Sequence, residues 1–430
     1  MIKTSIVYLL KYFSKKIVSK YSPDIVGITG SIGKTSTKDA TAAVLSARFN
    51  VRSNVKNYNN EIGVPLTIIG FEATPGKSLI GWVRVFGRAL DLLFWRDKNY
   101  PDILVLEMGA DKPGDIKYLT DMAPCKVGVL TFISHAHTEF FKTIKKIAQE
   151  KRAIISHLAS DGFAILNFDN DLVMENRDKT KAEIVTYGFR AGSDLRASDV
   201  NLFLDKKDFG AGGINFKVSY GGNMVPAYLP GVVAEHLVSS ALAGLAVGIV
   251  FGVNLVEGIE ALKKLRPIAG HMRLLPGIKN TLIIDDTYNS SPEPVKSALK
   301  TLANLPLDVG AERYAVLGDM LELGPETENA HREVGLSVAE HGIDFLITVG
   351  EASKITAKAA LEGGLKEHCI ASFADSVSAG KFLQEKLRTG DITLIKGSQG
   401  SRMEKIVKEV MAEPERAEEL LVRQGPAWMR

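Results

Sequence analysis

The chain has 430 residues, 45% of them apolar and 24% charged, with a formal net charge of +3. That length and balance fit a globular protein of two or three domains, and the near-neutral charge gives no reason to expect a nucleic-acid partner. Two cysteines, Cys125 and Cys369, exclude a disulfide framework and a four-cysteine zinc site, and they suit a reducing cytoplasm.

Residues 2–21 mix five lysines with apolar residues at helical spacing and lack the clean apolar core of a signal peptide. They read as an amphipathic helix, either docked on the first domain or resting on a membrane surface. The apolar run Ile25-Val26-Gly27-Ile28 then leads into Thr29-Gly30-Ser31-Ile32-Gly33-Lys34-Thr35-Ser36, followed by a helix-forming stretch. Strand, glycine loop and helix are the context of a phosphate-binding loop, in a variant form with Ile28 where the strict pattern has glycine. Backbone N–H groups and the helix N-terminus would cradle phosphates, Lys34 would reach the outer ones, and the Thr35 hydroxyl would meet Mg²⁺.

The asparagine cluster ending in Asn59 and Asn60 reads as a turn before Ile62-Gly63-Val64-Pro65. Residues 77–98 carry Trp82, Phe86, Leu90, Phe94 and Trp95 among Arg84, Arg88 and Arg96, a helical stripe that suits either a core or a membrane surface. Buried-strand runs follow at 103–106, 127–133 and 163–166, the first closing on Glu107. Apolar runs interleaved with helices predict a parallel sheet covered on both faces, with ligands gathering at the strands' carboxyl ends. A carboxylate closing such a strand, as Glu107 does, needs a partner, and a Mg²⁺ held by Thr35 would serve.

Helical spacing over 143–158 puts Lys151 in the middle of the apolar face made by Ile144, Ile147, Ile154, Ile155 and Leu158. A buried lysine has a lowered pKa and can take up CO₂ as a carbamate, an oxygen ligand for Mg²⁺; alternatively its ammonium snorkels to the helix edge. His137 lies just before this helix, as a ligand or a structural residue. The stretch 237–253 is uncharged but short for a membrane span, so it reads as a buried core helix. A Pro-Gly linker around 266–273 precedes a second series of strand runs at 282–284, 314–317, 345–349 and 392–395, a smaller doubly wound domain.

Taken together, the phosphate loop, the Asn59-Asn60-Glu61-Ile62-Gly63-Val64-Pro65 segment, Glu107-Met108-Gly109, His137 with Lys151, Asp285-Asp286-Thr287-Tyr288-Asn289-Ser290-Ser291-Pro292 and Leu317-Gly318-Asp319-Met320 resemble the Mur ligase family. Within it they are similar to the MurF type, which joins D-alanyl-D-alanine to a UDP-muramoyl peptide. The resemblance implies an α/β fold: a central P-loop ATPase domain with a parallel sheet at 25–268, a C-terminal Rossmann-like ligase domain at 269–430, and residues 1–24 as the amphipathic helix. It implies an ATP-dependent peptide ligase working through an acyl phosphate, with ATP and two Mg²⁺ ions. Thr29 through Ser36 would bind ATP, with Arg273 reaching the phosphates and Asp286 the ribose. Thr35 and Glu107 would hold one Mg²⁺, and His137 and carbamylated Lys151 the other. Asn59, Asn60, Tyr288 and Asn289 would meet the substrate; Lys34, Glu107, His137, Lys151 and Arg273 would be catalytic.

Two departures stand out. About two dozen residues precede the phosphate loop where the family usually has a uridine-binding domain, so the uridine end of the substrate is expected to be bound differently or to be absent. Leu237 and Ser240 stand where the family usually has asparagines beside adenine. Alternatives within reach are a Mur-like ligase for another carboxylate and amine, or an ATP-binding partner subunit of an amidotransferase. The expected partners are small peptide and amino-acid substrates, with no nucleic acid and possible contact with a membrane surface, for a monomer in the cytoplasm.

Overall fold

The computed structural model describes residues 2–55, 58–134, 143–204, 212–265, 268–425 and 428. The chain divides into two compact units: Met1–Asp199 with Phe216–Ala227 and Leu237–Leu265, and Val200–Asn215 with Tyr228–His236 and Arg266–Arg430.

The first unit begins with helix α1 (Ile2–Tyr21), strand β1 (Asp24–Thr29) and helix α2 (Lys34–Leu45). There follow β2 (Val51–Ser53), α3 (Gly63–Ile69), α4 (Leu79–Phe94), β3 (Ile103–Glu107), α5 (Asp115–Met122), β4 (Val127–Leu130), the lysine-bearing helix Ile144–Ser156, β5 (Phe163–Asn167) and β6 (Glu183–Gly188). These strands stand in the order β2-β3-β1-β4-β5-β6, all parallel, and β7 (Leu195–Phe203), β8 (Gly213–Tyr220) and β9 (Asn223–Pro230) complete the nine-stranded row. Every residue of β3 and β4 is buried, as a sheet covered on both faces requires.

Strand β1 lies between β3 and β4, although the chain visits β2 first. This reversal leaves a crevice at the carboxyl ends of β1, β3 and β4, where such sheets place ligands. Thr29, Glu107 and Thr131 all sit there, at or just past their strand ends.

The helix Glu235–Val250 buries Val238, Ala241, Leu242, Leu245 and Ala246, as a core helix does. Among the described residues, no helix is long and apolar enough to cross a membrane.

The second unit is built on β10 (Arg273–Gly277), β11 (Thr281–Asp286), β12 (Arg313–Gly318), β13 (Phe345–Val349), β14 (Ile370–Phe373) and β15 (Ile392–Lys396). Their order is β10-β11-β15-β12-β13-β14, with only β10 antiparallel. The parallel register sets Asp286, closing β11, directly beside Lys396, closing β15.

Candidate active site

The phosphate loop is shaped by two glycines with different tasks. Gly33 caps α2 at φ 81°, a left-handed conformation that a side chain disfavours. A Cβ on Gly30 would come within 1.9 Å of the Thr131 hydroxyl, so the loop can lie against the segment after β4 only without one. That segment holds the loop in place. The Thr131 hydroxyl donates to the Ile32 carbonyl at 2.6 Å, and the Ser31 amide donates to the Phe132 carbonyl at 2.6 Å. Thr29 is fully buried, its hydroxyl donating to the Met108 carbonyl at 2.7 Å, so this side chain ties β1 to the end of β3. Lys34 folds back over the loop and donates to the carbonyls of Gly30 (2.9 Å) and Ser31 (3.2 Å). Burial lowers its pKa, opposed by the charges of Glu107 and Asp111.

Glu107 is the hub of the crevice and is almost fully buried. Its Oε2 accepts from the Thr35 hydroxyl at 2.8 Å and its Oε1 from the Asn59 amide at 2.9 Å. Asn54 grips the Glu107 backbone from both sides: its Oδ1 accepts from the Glu107 amide at 2.8 Å and its Nδ2 donates to the Glu107 carbonyl at 3.1 Å. Lys38 donates in turn to the Asn54 carbonyl at 2.8 Å. Asn60, by contrast, is engaged in the chain itself, since its Oδ1 accepts from the amides of Ile62 and Gly63 at the start of α3.

Lys151 lies on the buried side of its helix with Ile147, Ile154 and Ile155, and is 3% exposed. Burial, reinforced by the nearby Lys34 cation, pushes its pKa down to about 7 against the pull of Glu150, Glu107 and Asp111. The nearest carboxylate in sequence is committed elsewhere: Glu150 accepts from the amides of Gly114 and Ile116 at the start of α5. Among the described residues, no hydrogen bond or ion pair to the Lys151 amine occurs. The arrangement therefore holds an amine that is about half neutral at pH 7 near a cation and a carboxylate.

A hard dication fits this donor set. The Thr35 hydroxyl and the Glu107 carboxylate converge at the N-terminus of α2, both are oxygen donors, and Mg²⁺ takes one or two such ligands while completing its shell with water and phosphate. His137, expected on a second ion, lies outside the described residues, as do Asn57 and the Arg266-Pro267 pair of the expected linker.

On the second unit, Asp286 is buried and paired with Lys396 at 2.7 Å, while its Oδ1 accepts from the Met272 amide. Lys396 also donates to the Asn289 carbonyl at 2.9 Å. Burial pushes the adjacent Asp285 carboxyl up to about 6, although Thr287 and the Gly270 amide donate to it. The Tyr288 ring stacks on His271 at 4.5 Å, and Arg423 donates to the carbonyls of Thr287 and Tyr288. Burial drives His236 down to about 4 beside Asp286, Lys396 and His271, so the ring is neutral at physiological pH. Arg273 opens β10, is partly buried, and donates to the Leu420 carbonyl at 3.3 Å.

The structure thus groups Thr29–Ser36, Asn59, Glu107 and Lys151 on the first unit, and Asp286, Tyr288 and Asn289 on the second. Sequence reasoning assigned no role to Asn54, Thr131, Lys396 or Arg423. Each acts on a residue far along the chain, and only Lys396, in the apolar strand context of β15, carried a local signal.

Comparison with known proteins places these features in context. The Mur ligase middle domain matches residues 28–80 and 89–248, and the Mur ligase, glutamate ligase domain matches residues 271–399. The UDP-N-acetylmuramoyl-tripeptide--D-alanyl-D-alanine ligase of Synechocystis sp. is 31% identical over 396 residues, which are 92% of this chain and 76% of that protein. The enzyme of the same name from Bacillus subtilis is 28% identical over 405 residues, 94% of this chain and 79% of that one. Among solved structures, MurF ligase from Thermotoga maritima in complex with ADP superposes with a TM-score of 0.76 at 26% identity, covering 95% of this chain and 84% of that one.

Proposed function

The chain belongs to the Mur ligase family, on its MurF-type branch, and from that premise we propose that it is an ATP-dependent ligase joining D-alanyl-D-alanine to a muramoyl-peptide precursor of peptidoglycan. The observation that carries this reading is the cluster of Lys34, Thr35, Glu107 and Lys151 around one glycine loop.

In this reading the substrate carboxylate attacks the γ-phosphorus of ATP, giving an acyl phosphate and ADP. The amine of D-alanyl-D-alanine then adds to the acyl carbon, loses a proton, and expels inorganic phosphate. Phosphoryl transfer calls mainly for alignment and charge neutralisation. The amides of Ile32 through Ser36 would surround the phosphates, and Lys34 would exchange its two loop carbonyls for phosphate oxygens. Thr35 and Glu107 would hold Mg²⁺, which when bound neutralises phosphate charge and aligns the transferred group. Asn59 orients the Glu107 carboxylate.

Lys151 would act as its carbamate. The neutral amine attacks the carbon of CO₂, an N–C bond forms, one C–O π pair moves to oxygen, and an N–H proton passes to solvent. A pKa near 7 supports this step, because about half of the amine is unprotonated at neutral pH. With His137 the carbamate would supply ligands for a second Mg²⁺. The roles of Arg273 at the phosphates, Asp286 at the ribose, and Asn60, Tyr288 and Asn289 at the substrate are proposed from the family resemblance. The free thiols of Cys125 and Cys369 support a reducing, cytoplasmic compartment.

Phosphate release from ATP, measured with a UDP-muramoyl tripeptide and D-alanyl-D-alanine, tests the proposal. The expected result is release that requires both substrates and is matched by the amide product. Release that ignores the amine, or that proceeds only with an unrelated carboxylate–amine pair, overturns it.

A further inference from the structure

Helix α4 is apolar on both its buried and its outer side, unlike an ordinary surface helix. Trp82, Val85, Ala89 and Leu92 fill its buried side, yet its outer side carries Leu79, Ile80, Val83, Leu90 and Phe94, with Trp95 following, all between 42% and 77% exposed. The steps between positions 79, 83, 87, 90 and 94 are those of one continuous helical stripe. Arg84 is the one charged residue among the exposed positions of α4. An outer face of this kind facing water is unusual, and exposed apolar patches mark interaction sites.

Helix α1 extends the same surface. Phe13 packs on Phe86 with ring centroids 5.8 Å apart. The Lys20 ammonium donates to the carbonyls of Leu92, Leu93 and Trp95, and the Tyr21 hydroxyl to those of Leu92 and Trp95, so α1 closes the C-terminus of α4. On its open side α1 shows Tyr8 and Tyr12, with Lys15 and Lys16 beside them.

Charge identifies the occupant. Residues 2–22 and 77–98 together hold ten lysines and arginines against two acids, Asp91 and Asp97. Both acids pair with the same residue, Arg88. Lys15, Lys16, Lys77, Arg84, Arg96 and Lys98 are exposed. A second copy docking through the same face would set like charge against like, because a two-fold interface meets itself. Aliphatic and aromatic side chains rimmed by exposed cations, which make no ion pair among the described residues, match an anionic lipid surface, which takes the apolar groups below its headgroups and attracts the basic ones. We propose that the joined outer faces of α1 and α4 bind anionic membrane surfaces peripherally. This inference does not depend on the ligase chemistry above.

Co-sedimentation of the full chain with phosphatidylglycerol vesicles, and separately with phosphatidylcholine vesicles, tests it. The protein is expected to bind the anionic vesicles at low salt, to bind the zwitterionic ones far more weakly, and to be released as salt is raised. Two variants separate the contributions: Ile80→Ser/Val83→Ser/Phe94→Ser removes apolar area, and Lys15→Glu/Lys16→Glu/Arg84→Glu reverses charge. Each is expected to lower vesicle affinity by about tenfold or more, and both should melt at the wild-type temperature because every altered side chain is exposed. The idea is overturned by absence of vesicle binding at low salt, by binding that neither variant weakens, or by a wild-type dimer that only the serine variant dissociates without any vesicle binding.

Discussion

Replacing Lys151 by methionine keeps the length of the side chain and removes the amine, and it should make the metal-free protein more stable at neutral pH. Burial holds the folded-state pKa at about 7 against an ordinary 10.5. Between those values the unfolded chain binds a proton that the folded chain does not, so wild-type stability rises with pH across that window and the lysine is most costly at its lower end. At 1.36 kcal/mol per pH unit, the cost is about 4 kcal/mol at pH 7 and about 2 kcal/mol at pH 9. Lys151→Met should therefore gain roughly those amounts over wild type. Urea denaturation in CO₂-free buffer with chelator, at pH 7 and pH 9, measures both differences. Adding bicarbonate at pH 7 should narrow the gap by stabilising wild type alone, since only a lysine can form the carbamate. The reasoning fails if the variant is no more stable than wild type at pH 7, or if its advantage does not shrink at pH 9.

Lys151→Ala should abolish ligation while nucleotide binding, followed by calorimetry, stays near wild type; formate or acetate should restore part of the rate by supplying an oxygen ligand in the space vacated. Glu107→Gln removes the carboxylate charge next to Thr35 and should lower the rate of phosphate release by about 10²–10³ with a smaller effect on ATP affinity. Asn54→Ala breaks two bonds to the Glu107 backbone and one to the Tyr58 carbonyl, and should cost about 1–3 kcal/mol in a denaturant titration. Lys396→Met leaves Asp286 buried without its ion pair and should destabilise by about 3–5 kcal/mol; adding Asp286→Asn should recover most of that loss, as a double-mutant cycle would report.

Local pattern alone makes several parts of this molecule legible. The run from Ile25 into Thr29 must be a buried strand, and a Gly-Lys-Thr following it has few uses other than phosphate. The continuous apolar runs at β3, β4, β11, β12, β13 and β15 announce parallel sheets, because only strands covered on both faces need to be apolar throughout. The spacing of three and four that carries Lys151 into the company of Ile147 and Ile154 is likewise a property of the helix itself. Strands β7 and β8 escaped notice because buried and more exposed residues alternate along them, so they show no apolar run. With three residues, β2 is too short to show any period.

The tertiary structure decided what no local pattern carries. Asn54 meets Glu107 across 53 positions of chain, and Thr131 meets Ile32 across 99, so neither contact leaves a trace in either neighbourhood. Lys396 finds Asp286 through strand register, which depends on the order of strands in the sheet. The tryptophan-bearing helix makes the distinction most sharply. Its stripe of Trp82, Phe86, Leu90 and Phe94 could all have faced a core, yet Trp82 is buried while Leu90 and Phe94 face outward. A hydrophobic period says that a face exists; which side is covered depends on which neighbours arrive there, and those come from distant parts of the chain.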